Sequence, residues 1–245
     1  MIKEKFGARY HEMDSSGTLP THVLLNYFQE AAGTDAYQLG FGWEDFKDDK
    51  IAWVITRIQI ELTGKPVPKQ NLIVETWPSH TEKVVSRRDF LIKNEKDEVI
   101  AKGASWWLIL NLETRRIARM FPKLIEMNSE TPNFTVEEGD FKLPDYEGKE
   151  PYFKKEFTVR GEDIDINGHV NNTHYVAWAT ESVPEDIRKN YFVKKLLITF
   201  KTECMEGQKI AANTYYVEGN KYWHILERED DLKPAAIIYT EWKPR

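Results

Sequence analysis

Two stretches of this chain can be laid over each other without a gap. A shift of 151 residues, Asp14 onto Asp165, sets FGARYHEMDSSGTLPTHVLLNYFQE on FTVRGEDIDINGHVNNTHYVAWATE. Phe6 then meets Phe157, Arg9 meets Arg160, Gly17 meets Gly168 and Glu30 meets Glu181. Met13 with Ile164, Leu19 with Val170, Leu25 with Val176 and Tyr27 with Trp178 keep the apolar pattern. Further on, WVITRIQIE resembles LLITFKTEC at a slightly shorter shift. Such a repeat constrains the fold more than any single motif, because both copies must follow one supersecondary path.

Each copy reads as strand, polar turn, helix, then more strands. In the first copy Val23, Leu24, Tyr27, Phe28, Ala31, Ala32, Ala36 and Leu39 recur at helical spacing, and Gly40 and Gly42 end the helix. In the second, a helix from about Asn172 carries Tyr175, Val176, Trp178, Ala179 and Val183. Pro184 stops it or restarts a short one. IAWVITRIQIELTG, NLIVETWPSH, SRRDFLIKNEKDEVI and AKGASWWLILNLETR are β-rich, with a hairpin tip at KNEKDE. KKLLITFKTEC, KIAANTYYVEG, YWHILERED and AAIIYTEWK repeat the scheme. The expected class is an α+β pseudo-dimer, with units at 1–121 and 153–245. The acidic, proline-punctuated segment 122–152 reads as a linker laid over the surface.

A chain of 245 residues can bury a real core, and 13% aromatic residues with eight Trp exclude a disordered chain. No apolar stretch reaches the length of a membrane span. The first residues, MIKEKFGARYHEMD, lack the pattern of a signal peptide, and a single cysteine suits a reducing cytosol. The net charge of −6 argues against broad nucleic-acid binding.

Chemistry points to DIDINGHVNN, residues 163–172. Asp163, Asp165, Asn167 and Gly168 imitate the start of a calcium loop, but position 12 is His174 instead of Glu, and the entering segment is a strand. No metal and no cofactor is expected. The second copy has Asp165, Asn167 and His169 where the first has Asp14, Ser16 and Thr18. Folding alone would not ask for that change, which makes the second copy the chemical half. At a helix start, backbone N–H groups can hold a developing oxyanion, an amide can position water, and a carboxylate or imidazole can act as base. The bland alternative is an Asx turn beside an ordinary histidine, and spacing alone favours it.

RGEDIDINGHVNNTHYVAWATESVP followed by LLITFKTEC resembles the acyl-acyl carrier protein thioesterases of plants and their bacterial relatives. The shared signature is D-x-N-x-H-V-N-N (Asp165 to Asn172), then Glu181, Ser182 and Pro184, then Glu203 and Cys204. Gly168 stands where many relatives have Gln. The resemblance covers nearly the whole chain. It implies a tandem double hot-dog, each a curved antiparallel sheet wrapped around a long helix, the first unit for acyl-chain binding and the second catalytic. It implies hydrolysis of fatty acyl-acyl carrier protein with acyl carrier protein as partner, in a cytoplasmic enzyme of bacterial type. Asp165, Asn167, His169 and Glu203 are the implied catalytic residues.

Attack by water held by Glu203 and attack by Asp165 through an anhydride both remain open. Cys204 is the less favoured catalytic candidate, since alternation on a regular strand puts it on the face opposite Glu203. Phe28, Trp53 and Ile55 are candidates for the acyl pocket. Carrier docking falls to the basic cluster Arg115, Arg116, Arg119 and Lys123, with Arg87, Arg88, Lys194 and Lys195 as further positive positions. The competing readings are a hot-dog acyl-CoA thioesterase and a silent fatty-acid-binding protein; a hot-dog dehydratase fits the Asn-bearing turn less well. Whether the internal pseudo-dimer pairs further as a homodimer stays open.

Overall fold

The structure, a computed structural model, describes residues 1–46, 49–129, 132–142, 145–146 and 148–245. The chain divides into two compact units, Met1–Glu138 and Gly139–Arg245.

Unit 1 runs β1 (Ile2–Gly7), α1 (Thr21–Leu39), α2 (Trp43–Phe46), β2 (Ile51–Leu62), β3 (Asn71–Thr81), β4 (Ser86–Lys93), β5 (Val99–Asn111), β6 (Ile117–Ala118) and α3 (Pro122–Glu126). Unit 2 runs β7 (Phe153–Thr158), α4 (Asn172–Glu181), α5 (Glu185–Asn190), β8 (Tyr191–Phe200), β9 (Lys209–Glu218), β10 (Lys221–Arg228) and β11 (Pro234–Pro244). Strand order in unit 1 is β1-β3-β4-β5-β2, with β6 beside β5; in unit 2 it is β7-β9-β10-β11-β8. Counted within each unit, both are first-third-fourth-fifth-second, and the pairs are antiparallel. The sequence repeat is thus a repeat of topology, two hot-dog units in tandem.

α1 shows why the apolar pattern gives this packing. Asn26, Glu30, Gly33 and Tyr37 form a narrow exposed stripe at i+3 and i+4 spacing, joined by Gln38 in the last turn. Leu24, Leu25 and Ala31 are fully buried, and Phe28 stacks on Phe90 of β4 at 4.2 Å between ring centroids. A helix so widely buried must lie inside its sheet. Gly40 ends it in the left-handed region at φ 78°, where Phe41 N–H donates to the Ala36 carbonyl at 2.8 Å. α4 is shorter, ten residues against nineteen. Ser182 caps it, and Pro184 starts α5 anew, as the proline predicts.

Each unit carries buried polar structure. In unit 1, Arg88 donates to Asp35 of α1 at 2.6 Å, and Arg87 donates to Asp89 at 2.7 Å. Burial lowers the Arg88 pKa, opposed by the Asp35 charge. Arg87 and Arg88 are therefore core residues, and the idea that they add to a positive surface is corrected. On the outer side of β4, Thr135 donates its N–H and hydroxyl to Asp89, both at 2.7 Å, and Arg87 donates to the Val136 carbonyl at 2.6 Å. Part of the segment 122–152 thus packs against unit 1, and α3 also lies within it.

In unit 2 a directed hydrogen-bond chain crosses the core. Thr214 hydroxyl donates to the Ser182 carbonyl at 2.6 Å, so its oxygen must accept from His224 Nδ1 at 2.9 Å. His224 Nε2 then accepts from Thr240 at 2.8 Å, and Thr240 accepts from the Trp242 indole at 2.9 Å.

Candidate active site

The turn between β7 and α4 is built by the sequence in two steps. First, a short 3-10 turn, Gly161–Asp163, brings a buried carboxylate back under the chain. Asp163 accepts from Arg160 N–H at 2.8 Å and from the Arg160 guanidinium at 3.0 Å, with His174 Nδ1 of α4 at 3.3 Å. Burial works to raise its pKa, but the Arg160 bonds and the His174 charge outweigh it and hold the carboxyl below the ordinary range. Second, Asp165 closes the loop. Its N–H donates to the His169 carbonyl at 2.8 Å, its carbonyl accepts from Gly168 N–H at 3.0 Å, and its side chain accepts from Asn167 N–H at 2.8 Å. Gly168 sits at φ 80°, which the turn needs and which a side chain would strain. Asn171 caps α4 by accepting Thr173 N–H at 3.0 Å.

Copy one has the same backbone. Asp14 N–H donates to the Thr18 carbonyl at 2.9 Å, Gly17 N–H donates to Asp14, and Ser16 N–H donates to the Asp14 side chain at 2.9 Å. The side chains then diverge. Asp14 also collects the Ser16 hydroxyl and, at 3.2 Å, the Thr18 N–H. In unit 2 the matching N–H of His169 has no acceptor among the described residues. The second loop therefore keeps a backbone donor, an amide and an imidazole available where the first folds in on itself.

The structure brings all four expected catalytic residues to one locality. The 201–204 segment lies beside the turn, with Val170 N–H donating to the Cys204 carbonyl at 3.0 Å. His169 Nε2 stands 3.3 Å from Glu203, and both side chains keep solvent access, 29% and 42%. Asn167 Nδ2 lies 3.4 Å from the second Asp165 oxygen. The regular strand expected at Glu203 and Cys204 is corrected: β8 ends at Phe200, because Lys201 and Thr202 N–H both turn onto the Ala235 carbonyl. The side chains still diverge, Glu203 outward and Cys204 fully buried. Burial pushes the Cys204 thiol pKa up, against a bond from the Tyr175 hydroxyl.

The remaining candidates separate. Phe28 and Ala32 of α1, Ile55 and Ile58 of β2, Phe90 of β4 and Trp107 of β5 line a small apolar recess that opens to solvent and has interior room for about one water. Trp53 is elsewhere: its indole donates to the Phe41 carbonyl at 2.9 Å, and it packs on the Phe41, Phe46 and Leu124 cluster. Arg115, Arg116, Arg119 and Lys123 are exposed, and Lys123 donates to the Leu39 carbonyl at 3.1 Å. Lys194 is tied to Glu241 at 2.9 Å. Sequence reasoning passed over Asp163 and His174 as working residues. The repeat held a signal for Asp163, since Glu12 matches it and accepts from Arg9 N–H in the same way. Among the described residues, no three His, Cys, Asp or Glu side chains are grouped to hold a metal, and no helix is long and apolar enough to cross a membrane.

Two tandem hot-dog units, with a polar turn leading into the second helix, define the class of protein. Residues 1–127 match the acyl-ACP thioesterase N-terminal domain and residues 146–244 the C-terminal domain. The chain belongs to the acyl-ACP thioesterase family. It is 27% identical over 266 residues to a chloroplastic palmitoyl-acyl carrier protein thioesterase of Cuphea hookeriana, covering all of this chain and 63% of the relative. It is 28% identical to oleoyl-acyl carrier protein thioesterase 2 of Arabidopsis thaliana over 227 residues, 86% of this chain and 62% of that one. The chain thus spans less than two thirds of the length of these relatives. An acyl-ACP thioesterase from Bacteroides thetaiotaomicron shares the fold at a TM-score of 0.87 and 22% identity, covering 98% of this chain and 97% of that one. The 12:0-ACP thioesterase from Umbellularia californica does so at 0.85 and 23%, covering 100% and 97%.

Proposed function

We propose that this protein hydrolyses the thioester between a fatty acyl chain and acyl carrier protein, releasing the free acid and ending elongation. The observation that carries the reading is the His169–Glu203 pair, 3.3 Å apart and open to solvent, beside the Asp165–Asn167 turn. Family membership supports it, as do the names of the relatives. Unit 2, from about residue 153, carries the chemistry, and unit 1, to about residue 121, takes the acyl chain.

In the mechanism, Glu203 and His169 hold a water. The water oxygen bonds to the thioester carbon while its proton passes to the pair. The carbonyl oxygen takes up negative charge and is met by the His169 N–H and the Asn167 amide, donors placed before the charge develops. The carbonyl then re-forms, the C–S bond breaks, and the carrier's sulfur takes the proton back. Asp165 holds the loop, and its carboxylate supports the cationic character that His169 gains. Cys204 stays outside the chemistry, since its thiol is buried and its pKa raised. Arg115, Arg116, Arg119 and Lys123 form the face that meets the acidic carrier protein, and the enzyme works in the cytoplasm.

The test is thiol release from a panel of acyl-carrier protein and acyl-CoA thioesters, with wild type and His169→Ala side by side. Turnover of carrier-protein substrates that falls about a hundredfold or more in the folded variant supports the reading. Turnover of acyl-CoA alone moves the function to a coenzyme A thioesterase. Bound fatty acid without any turnover leaves a lipid-binding protein and defeats the catalytic reading.

A further inference from the structure

We infer that Asp163 and His174 are positioning residues, whose contact ties the turn carrying Asp165, Asn167 and His169 to the start of α4 and so sets where His169 stands against Glu203. This rests on the proposed function and adds to it a pair that touches no reacting atom.

The loop 164–170 is held at both ends by Asp163. The Asp163 carbonyl accepts Asn171 N–H at 2.9 Å. Its carboxylate, 1% exposed, accepts Arg160 N–H at 2.8 Å on one oxygen. The other oxygen takes the Arg160 guanidinium at 3.0 Å and faces His174 Nδ1, in the first turn of α4, at 3.3 Å. An ionised carboxylate only accepts, so the ring nitrogen that faces it carries the proton. Inside the loop Ile164 bridges to Val170, and Val170 N–H reaches the Cys204 carbonyl, next to Glu203. His169 and Glu203 are themselves 29% and 42% exposed. Little packing holds those two side chains, so the ends of the loop must place His169.

Copy one shows what folding alone requires. There Asp163, Asn171, His174 and Trp178 are matched by Glu12, Pro20, Val23 and Tyr27. Pro20 has no N–H, so the backbone tie is missing. Val23 cannot donate. Instead the Tyr27 hydroxyl, one helical turn further on, donates to Glu12 at 2.8 Å, and Glu is longer by the methylene that reaches it. In copy two the carboxylate is shorter, the tie moves back one turn to His174, and the Trp178 ring lies 6.4 Å from the imidazole. Both copies thus tie the turn to its helix. Only the copy with Asn167 and His169 adds the backbone tie and brings the side-chain tie to the first turn of its helix.

The experiment measures kcat and KM for thiol release from acyl-carrier protein, with melting temperature recorded for every protein. His174→Val inserts the copy-one residue at a position 31% exposed. It should lower kcat about tenfold to a hundredfold and leave KM within about twofold, since misplacing a reacting group by about 1 Å costs up to about a hundredfold. His174→Asn puts an amide N–H where Nδ1 stood and should restore kcat to within about threefold of wild type. Tyr27→Phe cuts the copy-one tie and should leave kcat within about twofold. Imidazole NMR gives a readout without substrate: the His169 cross-peak should move in His174→Val and return in His174→Asn, while those of His22 and His80 in unit 1 stay in place. A kcat loss in His174→Val that His174→Asn recovers supports the inference. An unchanged kcat in His174→Val overturns it, as does a His174→Asn enzyme as slow as His174→Val at equal melting temperature. A His174→Val protein that does not fold overturns it too, since His174 would then serve the whole unit. A wild type with no turnover defeats the functional reading instead, and the His169 cross-peak still decides the pair.

Discussion

Replacing His224 by Gln tests how unit 2 carries a titratable group through its core. The imidazole has no exposure, and burial lowers its pKa from 6.5 to about 3. Its hydrogen bonds also need it neutral, because Nε2 accepts from Thr240 while Nδ1 donates to Thr214. The folded protein therefore takes no proton there until the pH nears 3, whereas the unfolded chain takes one below about 6.5. Stability from this group is complete above about pH 6.5 and is lost as the pH falls toward 3, at ~1.4 kcal/mol per pH unit. At pH 5 the loss is ~2 kcal/mol.

Glutamine keeps a donor and an acceptor but does not titrate. Its bonds fit less well, which costs ~1–3 kcal/mol at neutral pH. The assay is denaturant unfolding at pH 7.5 and pH 5, followed by tryptophan fluorescence. Carboxylates elsewhere titrate alike in both proteins and cancel in the difference. The gap between wild type and variant should shrink by ~2 kcal/mol on acidification. Curves that stay parallel would refute the reasoning, since His224 would then be either protonated or hydrated in the folded state.

Arg88→Met leaves the Asp35 charge buried without its guanidinium and should cost ~3–5 kcal/mol, read as a lower unfolding midpoint for unit 1. Adding Asp35→Leu should recover most of that loss, and a harmless single variant would mean that water reaches the pair. Cys204→Ala should keep turnover within about twofold, because the thiol is buried and held protonated. A loss of a hundredfold with the fold intact would put sulfur into the chemistry.

The fold was readable because the repeat and the apolar spacing agreed. The exposed stripe of α1 is so narrow that the sequence shows apolar residues on nearly every turn, and the two glycines mark its end. The fate of β8 was not readable. Alternation continues through LLITFKTEC, and only the Ala235 carbonyl, more than thirty residues later, pulls Lys201 and Thr202 out of the strand. Trp53 packs away from Phe28 and Ile55 for a similar reason. Its strand position is apolar, but a local bond to Phe41 turns it into another cluster. Arg88 looks like surface charge until Asp35 of α1 meets it inside, and a pairing of strand with helix 53 residues apart leaves no local pattern. The proposed catalytic constellation depended on a difference between copies, which a single motif would not have displayed.

That difference also limits what Asp165 can mean. Asp14 accepts from Ser16 N–H just as Asp165 accepts from Asn167 N–H, at 2.9 and 2.8 Å. Both loops need an Asx acceptor to close, so the carboxylate at this position is explained by folding before any chemistry is invoked. An alanine there removes loop and reagent together. Asparagine separates them, since its side-chain oxygen closes the same turn without the charge. Asp14→Asn and Asp165→Asn should therefore change stability alike, each by ~1 kcal/mol or less. Turnover should be untouched in the first and fall about a hundredfold or more in the second, if the carboxylate supports His169 or attacks the thioester. An Asp165→Asn enzyme that still turns over would reduce Asp165 to a turn-former and leave the chemistry to Asn167, His169 and Glu203, the residues copy one does not repeat.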